Sequence, residues 1–504
     1  MDTQMTQENQ PTEKEKAFSN INVKSFLLVV GLLCGILAVS GILSYIIPQG
    51  TFARDPAGMI IVDSYTRGEV RGIAVWRIIT APVRVFASED ALTIIMISLF
   101  LLIMSGVFNL LDKTGGIKVI IGKTMEKFSS KKHLVVCVTA LIFMAFGSFF
   151  GLFEELVTLL PIVIMFMLSL GFDTMTGLGV CMMAACFGFS AAMTNPFSVG
   201  LIPDQAAALN IPFRMSDGIW LRAVFFLVIF ASVCAFLLLH IRKITKDPSK
   251  SPTYEIDLKK RESLRLGTAF NTEKDQRIFK ICAVFFLVQL TVLLLIASIR
   301  AISGYAIPIL AVTFLIGGII CGLMICEQKR EVAKLMWQGI AAMLPAVLMI
   351  ALASSVKLVM VESGIMDTLM YGVISFLEGQ SPFVCVLLIY LLILFLQIFI
   401  GSASAKIFLI MPIILPVGTA LGLTPTVIAL TYCMADGFTD MILPTNPVLL
   451  IGLSMANVSY GKWVRWTWLM QVGILLLTVL TLFFAIQIGY SRRGPCSAAA
   501  AGIR

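Results

Sequence analysis

Apolar residues run in long uninterrupted stretches along this chain, and charged residues collect between them. Residues 26–47, 91–111, 219–239, 281–298, 305–325, 339–361 and 463–490 are such stretches. Each approaches the ~20 apolar residues that carry an α-helix across a bilayer. Two stretches, 133–170 and 383–420, are too long for one simple crossing. Each contains a small turn, Gly-Ser-Phe-Phe-Gly at 147–151 and Gly-Ser-Ala-Ser-Ala at 401–405, and reads as a re-entrant hairpin of two half-helices. Two more, 176–209 and 425–459, can cross but are interrupted at Thr194-Asn195-Pro196 and Thr445-Asn446-Pro447.

The interruptions matter because of what lipid forbids. Proline removes an N–H and disfavours helix at the residue before it. In hydrocarbon, backbone groups freed in this way are tolerated only against protein or water. A helix broken at mid-membrane therefore implies a polar cavity, and two in matching positions point to a secondary-transporter binding site. The matching is extensive. Thr194 and Thr445, Pro161 and Pro412, and Gly171 and Gly422 each lie 251 residues apart. Downstream, Gly218-Ile-Trp220-Leu-Arg222 is echoed by Gly461-Lys-Trp463-Val-Arg465, with eight residues lost before the second copy. This ordered set marks an internal duplication.

The connectors set the organisation. Residues 1–24 form a polar tail without the character of a cleavable signal peptide, and 25–90 a first span and mixed loop with an interfacial helix over 73–86. Repeat 1 covers 91–240. A charged segment, 241–280, with eleven Lys/Arg and six Asp/Glu, reads as a cytoplasmic loop joining the halves. Linking spans with a short charged loop at 327–334 fill 281–337, repeat 2 covers 338–490, and an alanine-rich tail covers 491–504. Residues 112–132 and 362–381 hold equivalent places and both read as amphipathic. The first carries six Lys and the second no basic residue, which puts them on opposite sides of the membrane by the positive-inside rule. The predicted fold class is thus an all-α polytopic membrane protein with two inverted-topology repeats, each holding a re-entrant hairpin and a broken transmembrane helix. The count is nine full crossings and two hairpins.

Composition agrees: 58% of the 504 residues are hydrophobic and 13% charged. The net charge of +9 resides between spans, so it reflects a membrane surface and not nucleic-acid binding. Eleven Cys are scattered without zinc-type spacing. His133 and His240 lie at span ends, which argues against a histidine metal site or a catalytic triad. No nucleotide-binding or hydrolase motif is present, so the chain reads as no enzyme, with no cofactor.

Polar groups inside spans are expensive and default to functional candidates. Around the first hairpin and break these are Ser148, Glu154, Glu155, Thr194, Asn195 and Ser198; around the second, Ser402, Ser404, Lys406, Asp436, Thr439, Asp440, Thr445 and Asn446. Glu155 and Lys406 are counterparts under the 251 offset. Asn and Thr oxygens with freed carbonyls suit Na⁺, at Asn195 and Asn446, while half-helix N-termini suit a substrate carboxylate. Asp436 and Asp440 share a helix face and form the candidate site for a coupling Na⁺ or H⁺. Each candidate has a structural alternative: a kink cap for the Asn residues, an ion pair for Glu154 and Glu155, a neutralising partner for Lys406. Trp220, Trp463, Arg222 and Arg465 read as interfacial anchors. The acids Glu154, Glu155, Asp436 and Asp440 outnumber Lys406. That balance favours a cationic or zwitterionic amino acid over a bare dianion.

The order of hairpin and broken helix, twice, resembles the ion-transporter superfamily. Three features are similar, more narrowly, to the anaerobic dicarboxylate carrier family in its YfcC-like branch: Ser40-Gly-Ile-Leu-Ser-Tyr-Ile-Ile-Pro48-Gln-Gly-Thr-Phe52, Glu154-Glu155 after the first turn, and Gly401-Ser-Ala-Ser-Ala-Lys406. The resemblance covers about residues 25–490. It implies a multi-pass secondary carrier of the bacterial inner membrane, a homodimer with a scaffold and a moving transport domain, and hairpin tips and broken helices that hold substrate and sodium. Related sodium–dicarboxylate carriers read Ser-Asn-Thr at the hairpin tip, where this chain has Gly147-Ser148-Phe149 and Gly401-Ser402-Ala403. The branch is commonly labelled a basic amino acid antiporter. The expected partners are a small-molecule solute and the lipid bilayer. The expected function is secondary active transport, by antiport or cation symport, of a carboxylate-bearing solute such as an amino acid. A dicarboxylate carrier is the alternative, and a channel or membrane enzyme ranks below both.

Overall fold

The computed structural model describes residues 23–53, 64–88, 91–117, 119, 131–265, 273–298, 306–326, 328–377 and 379–488. It is helical apart from one antiparallel pair of two-residue strands, β1 (Gly50–Thr51) and β2 (Thr66–Arg67). Among the described residues, eight helices are long and apolar enough to cross a bilayer. The two tails and most of the amphipathic stretch at 112–132 lie outside the described residues.

The first half runs α1 (Val23–Leu43), α2 (Val75–Arg84) and α3 (Ala91–Lys113), then the hairpin arms α4 (Lys132–Ala145) and α5 (Leu160–Ser169). The broken helix follows as α6 (Thr174–Ala191) and α7 (Ile202–Ala208), and α8 (Ile219–Lys246) returns. A short helix, α9 (Tyr254–Arg265), separates the halves. The second half runs α10 (Glu273–Ser298), α11 (Ala306–Ile325), α12 (Lys329–Glu362) and α13 (Met366–Leu377). Hairpin arms α14 (Pro382–Gln397) and α15 (Ala403–Ala420), broken helix α16 (Pro425–Thr439) and α17 (Pro447–Ala456), and α18 (Tyr460–Gln487) complete it.

Local chemistry explains many of these ends. Ser381, Thr424 and Asn446 each cap a helix whose next residue is proline. The cap side chain accepts an orphan N–H, and proline at the first helical position sacrifices a donor that had no partner anyway. The repeated glycines Gly171 and Gly422 end the second hairpin arms at φ +93° and +84°, a conformation glycine adopts without a Cβ penalty. Residues 327–334, expected as a loop, largely belong to α12. Lys329, Arg330 and Glu331 form the first turn of α12 and Lys334 follows, all good helix formers that extend the helix through the charged stretch.

Packing divides the helices into two groups. The first is α1, α2, α3, α10, α11 and α12, with α3 and α12 at its centre. These two are counterparts under the 251 offset. A Cβ added at Gly339 would stand 2.4 Å from Ser105 O, and Ser105 Oγ donates to Gly339 O at 2.8 Å. Small residues permit this approach, as is usual where hydrophobic driving force between helices is absent. In the second group the two broken helices cross where they break, and a Cβ on Gly437 would fall 2.3 Å from Ser190 N. They run antiparallel: Lys260 Nζ reaches both Thr174 Oγ1, at the start of α6 (3.3 Å), and Ala456 O, at the end of α17 (3.0 Å). Contacts exchange accordingly, with α5 against α17 and α7 against α15.

The charged segment between the halves is more than a solvated connector. Asp257, Lys260, Ser251 and Thr253 are buried. Asp257 accepts from Thr174 N and Thr253 Oγ1, and Arg261 Nη2 donates to Gly171 O and Phe172 O at 3.0 and 2.6 Å. Asp173 caps α6 through Thr176 N and also receives His240 Nε2 and Ser251 Oγ. The His240, Asp173 and Ser251 trio is not a hydrolytic triad. Ser251 bonds to the acid, and Trp466 Nε1–H occupies His240 Nδ1. Burial pushes the Asp257 carboxyl above its ordinary range and lowers Lys260 to about 8, with Asp257 pulling the other way.

Candidate functional site

At the first break, α6 ends at Ala191, and Ala192 adopts a left-handed φ of 34°. The hairpin turn locks onto it: Ser148 Oγ accepts from Met193 N at 3.1 Å, and Thr194 Oγ1 donates to Phe149 O at 2.8 Å. Gly147 lies where a Cβ would stand 2.1 Å from Ala185 O, so only glycine lets the turn sit this deep. Arg222 is 2% exposed and donates to Ala192 O and Met193 O at 2.8 and 3.2 Å. It is therefore no interfacial anchor. Its guanidinium satisfies the carbonyl end of a half-helix buried in the protein. Trp220 is exposed, as an anchor would be.

At the second break the same need is met by the other residue of the repeated motif. Trp463 is fully buried, and its Nε1 donates to Met441 O at 2.7 Å, while Arg465 is exposed. Trp463 too was expected at the interface, and the freed carbonyl explains its burial. The two asparagines act alike locally. Asn195 Oδ1 accepts from Phe197 N, and Asn446 Oδ1 from Val448 N, both at 2.9 Å. Each oxygen expected to face Na⁺ already accepts one bond. The amide ends differ. Asn446 Nδ2 donates to Asp440 Oδ1 at 3.0 Å, whereas Asn195 Nδ2 is buried without a hydrogen bond among the described residues.

Asp440 is the hub of the second break. It also accepts from Gln397 Nε2, at 2.6 Å, on the first arm of the hairpin. Deeper, Lys406 and Asp436 face each other at 2.5 Å as an ion pair, both inaccessible, and no other hydrogen bond among the described residues reaches either charged end. Tyr432 Oη donates to Ala403 O at 2.6 Å and fixes the hairpin tip to α16.

A cavity of about 350 Å³ opens beside this second break. Ser402, Ser404, Asp440, Thr445 and Asn446 line it from repeat 2, Glu154 and Gly151 from repeat 1, and Ser354 and Lys357 from α12. The N-terminus of α15, capped by Ser402, and that of α17, capped by Asn446, both border it. Of the expected site residues, the cavity gathers Glu154, Ser402, Ser404, Asp440, Thr445 and Asn446. Ser148 and Thr194 hold the hairpin turn to the first break, and Asn195 packs against Gly151 at the edge of the cavity. Lys406, Asp436 and Thr439 lie behind its wall, Ser198 is buried at the first break, and the side chain of Glu155 lies outside the described residues. Sequence reasoning missed Lys357, Gln397 and Arg222 as polar groups at work. Lys357 had a signal, as the one charge in α12 between Lys334 and Glu362. Among the described residues no cluster of three His, Cys, Asp or Glu side chains could hold a metal ion.

Residues 25–487 match the model of DcuC, the C4-dicarboxylate anaerobic carrier. The chain belongs to this carrier family. Its members are membrane transporters, in keeping with the multi-pass helical fold. Within the YfcC-like part of the family, the chain is 24% identical to the Escherichia coli protein named "Putative basic amino acid antiporter YfcC", over 79% of this chain and 77% of that one. It is also 24% identical to an uncharacterized protein of Haemophilus influenzae, with the same coverage. Two solved structures are similar. The YdaH transporter of Alcanivorax borkumensis matches at 18% identity and TM-score 0.42, covering 92% of this chain and 99% of that one. MtrF of Neisseria gonorrhoeae, from a class of antimetabolite efflux pumps, matches at 16% and 0.41, covering 93% and 96%.

Proposed function

We propose that this carrier is a secondary active transporter of a small carboxylate-bearing solute, with amino acids, basic ones included, ahead of C4-dicarboxylates. One observation carries the reading: two helix N-termini and two acidic side chains, Glu154 and Asp440, border one cavity. Helix N-termini favour a carboxylate, and carboxylates favour an ammonium or guanidinium group. An amino acid has both kinds of group. A dicarboxylate presents a second anion to Asp440 and needs cations or protons bound with it. The name of the Escherichia coli relative agrees with the basic amino acid reading. The antiparallel broken helices support inverted repeats, and with them alternating access in which the hairpins and breaks move against α3 and α12. In this reading Asp440, with Asn446 and Gln397, is the site of a coupling Na⁺ or H⁺, the carrier is a homodimer, and it works in a bacterial inner membrane.

Exchange in proteoliposomes tests this. Vesicles loaded in turn with arginine, ornithine, a neutral amino acid and succinate are followed with labelled counterparts, with and without Na⁺ and pH gradients. The expected result is saturable exchange of amino acids. Exchange of succinate alone transfers the reading to dicarboxylates, and flux that neither saturates nor shows counterflow indicates a channel.

A further inference from the structure

We infer that Lys357 is the residue that selects for a carboxylate, completing the anion site from the scaffold wall of the cavity. The inference rests on the carboxylate reading above and names the residue that enforces it. Lys357 belongs to α12, whose 34 residues carry no other charge between Lys334 and Glu362. A cation in an apolar crossing is expensive, and it survives where it faces a water-filled cavity or a partner. Lys357 is half-buried and lines the same cavity as Ser402, Ser404 and Asn446. The repeat 2 lining therefore supplies two helix N-termini, and α12 supplies a full positive charge.

The placement has a mechanical side. α12 packs on α1, α2 and α3, whereas α15 and α17 belong to the group of hairpins and breaks. A carboxylate held by Lys357 on one oxygen and by the helix ends on the other spans the two groups. Glu154 and Asp440, on the hairpin and break side, then take the amino groups. Selection for the carboxylate is thus made only when both groups of helices line one cavity, as they do here. A solute without that group has nothing to bridge to α12.

The test is a ratio within each variant, which protein amount does not alter. Exchange of arginine is compared with that of agmatine, the same molecule without its carboxylate, and succinate with propionate. The full-length wild type is expected to prefer the carboxylate-richer member of at least one pair. Lys357→Gln is expected to shrink that preference about tenfold or more, and Lys357→Arg to keep most of it. Where Lys357→Gln does not transport, the same ratio is read from ligand-induced shifts in melting temperature of the purified chain. A preference unchanged in Lys357→Gln overturns the inference and leaves the carboxylate reading standing. A wild type without any such preference removes that reading, and the inference with it.

Discussion

The two breaks carry the same tripeptide and the same asparagine turn, yet they are built for different work. At the first break every strong contact is architectural. Ser148 and Thr194 bind the hairpin turn, Arg222 closes the end of α6, and Gly147 lets the turn sink against Ala185. At the second, the polar groups exceed what the backbone needs. Asp440 gathers Gln397 and Asn446, Lys406 pairs with Asp436, and the cavity opens there. The two interruptions match in sequence, and the charged groups and the cavity collect at the second. The lesson is that a repeated motif marks where chemistry is possible, and the unrepeated residues around it mark where chemistry happens.

The comparison can be broken most forcefully at the buried pair. Lys406→Met alone strands Asp436 and is expected to cost about 3–5 kcal/mol, read as lost protein in detergent. Adding Asp436→Leu is expected to restore folding and leave measurable exchange, because the pair positions α15 against α16 behind the cavity wall. A stable double variant without any exchange would move the pair into the transport machinery. Next comes Asp440→Asn, which keeps an acceptor for Gln397 and Asn446 but removes the charge. Exchange is expected to fall by at least about tenfold with the melting temperature little changed, and with an altered Na⁺ or pH profile. An unaltered profile would strip Asp440 of its coupling role.

Asn446→Ala and Asn195→Ala sharpen the contrast. Both lose a turn contact worth about 1 kcal/mol, but only the former also releases Asp440. Its exchange is expected to fall well below that of the Asn195 variant, and equal losses would make the two breaks equivalent after all. The smallest effect concerns Lys260. Between its folded value of about 8 and the ordinary 10.5, the unfolded chain holds a proton that the folded chain does not. Stability therefore rises with pH across that window, with no such gain below it. Thermal unfolding of Lys260→Met is expected to lose the rise.

The fold was legible because hydrocarbon leaves so few options: apolar runs must be helices, and breaks in them must meet protein or water. The glycine turns and proline-led helix starts could be read for the same reason. Much of the polar lining of the cavity was legible too, since Asp440, Asn446, Ser402 and Ser404 stand out as polar residues in apolar runs. Lys357 was passed over although it is the lone charge in its run, because a lysine near the end of a run looks like the boundary of the run. Arg222 was misread because an arginine near a span end ordinarily points to the interface, and nothing local says that a severed helix needs its carbonyls met. The burial of Asp257 and Lys260 was equally hidden. Their partners, Thr174 and Ala456, are distant in sequence, and a charge-rich segment looks solvated until its partners are known.

That last connection bears on how the protein is made. When α9 leaves the ribosome, Asp257 and Thr174 can already meet, and Arg261 can already reach Gly171. Lys260 lacks its bond to Ala456 O until 196 further residues have been synthesised. During that interval a cation destined for burial lacks one of its two acceptors, although Asp257 and Arg261 on either side of it can already hold α9. The arrival of α17 completes the bond. The bond thus ties the start of the first broken helix to the end of the second, and it closes only in a chain whose two halves have inserted in opposite senses.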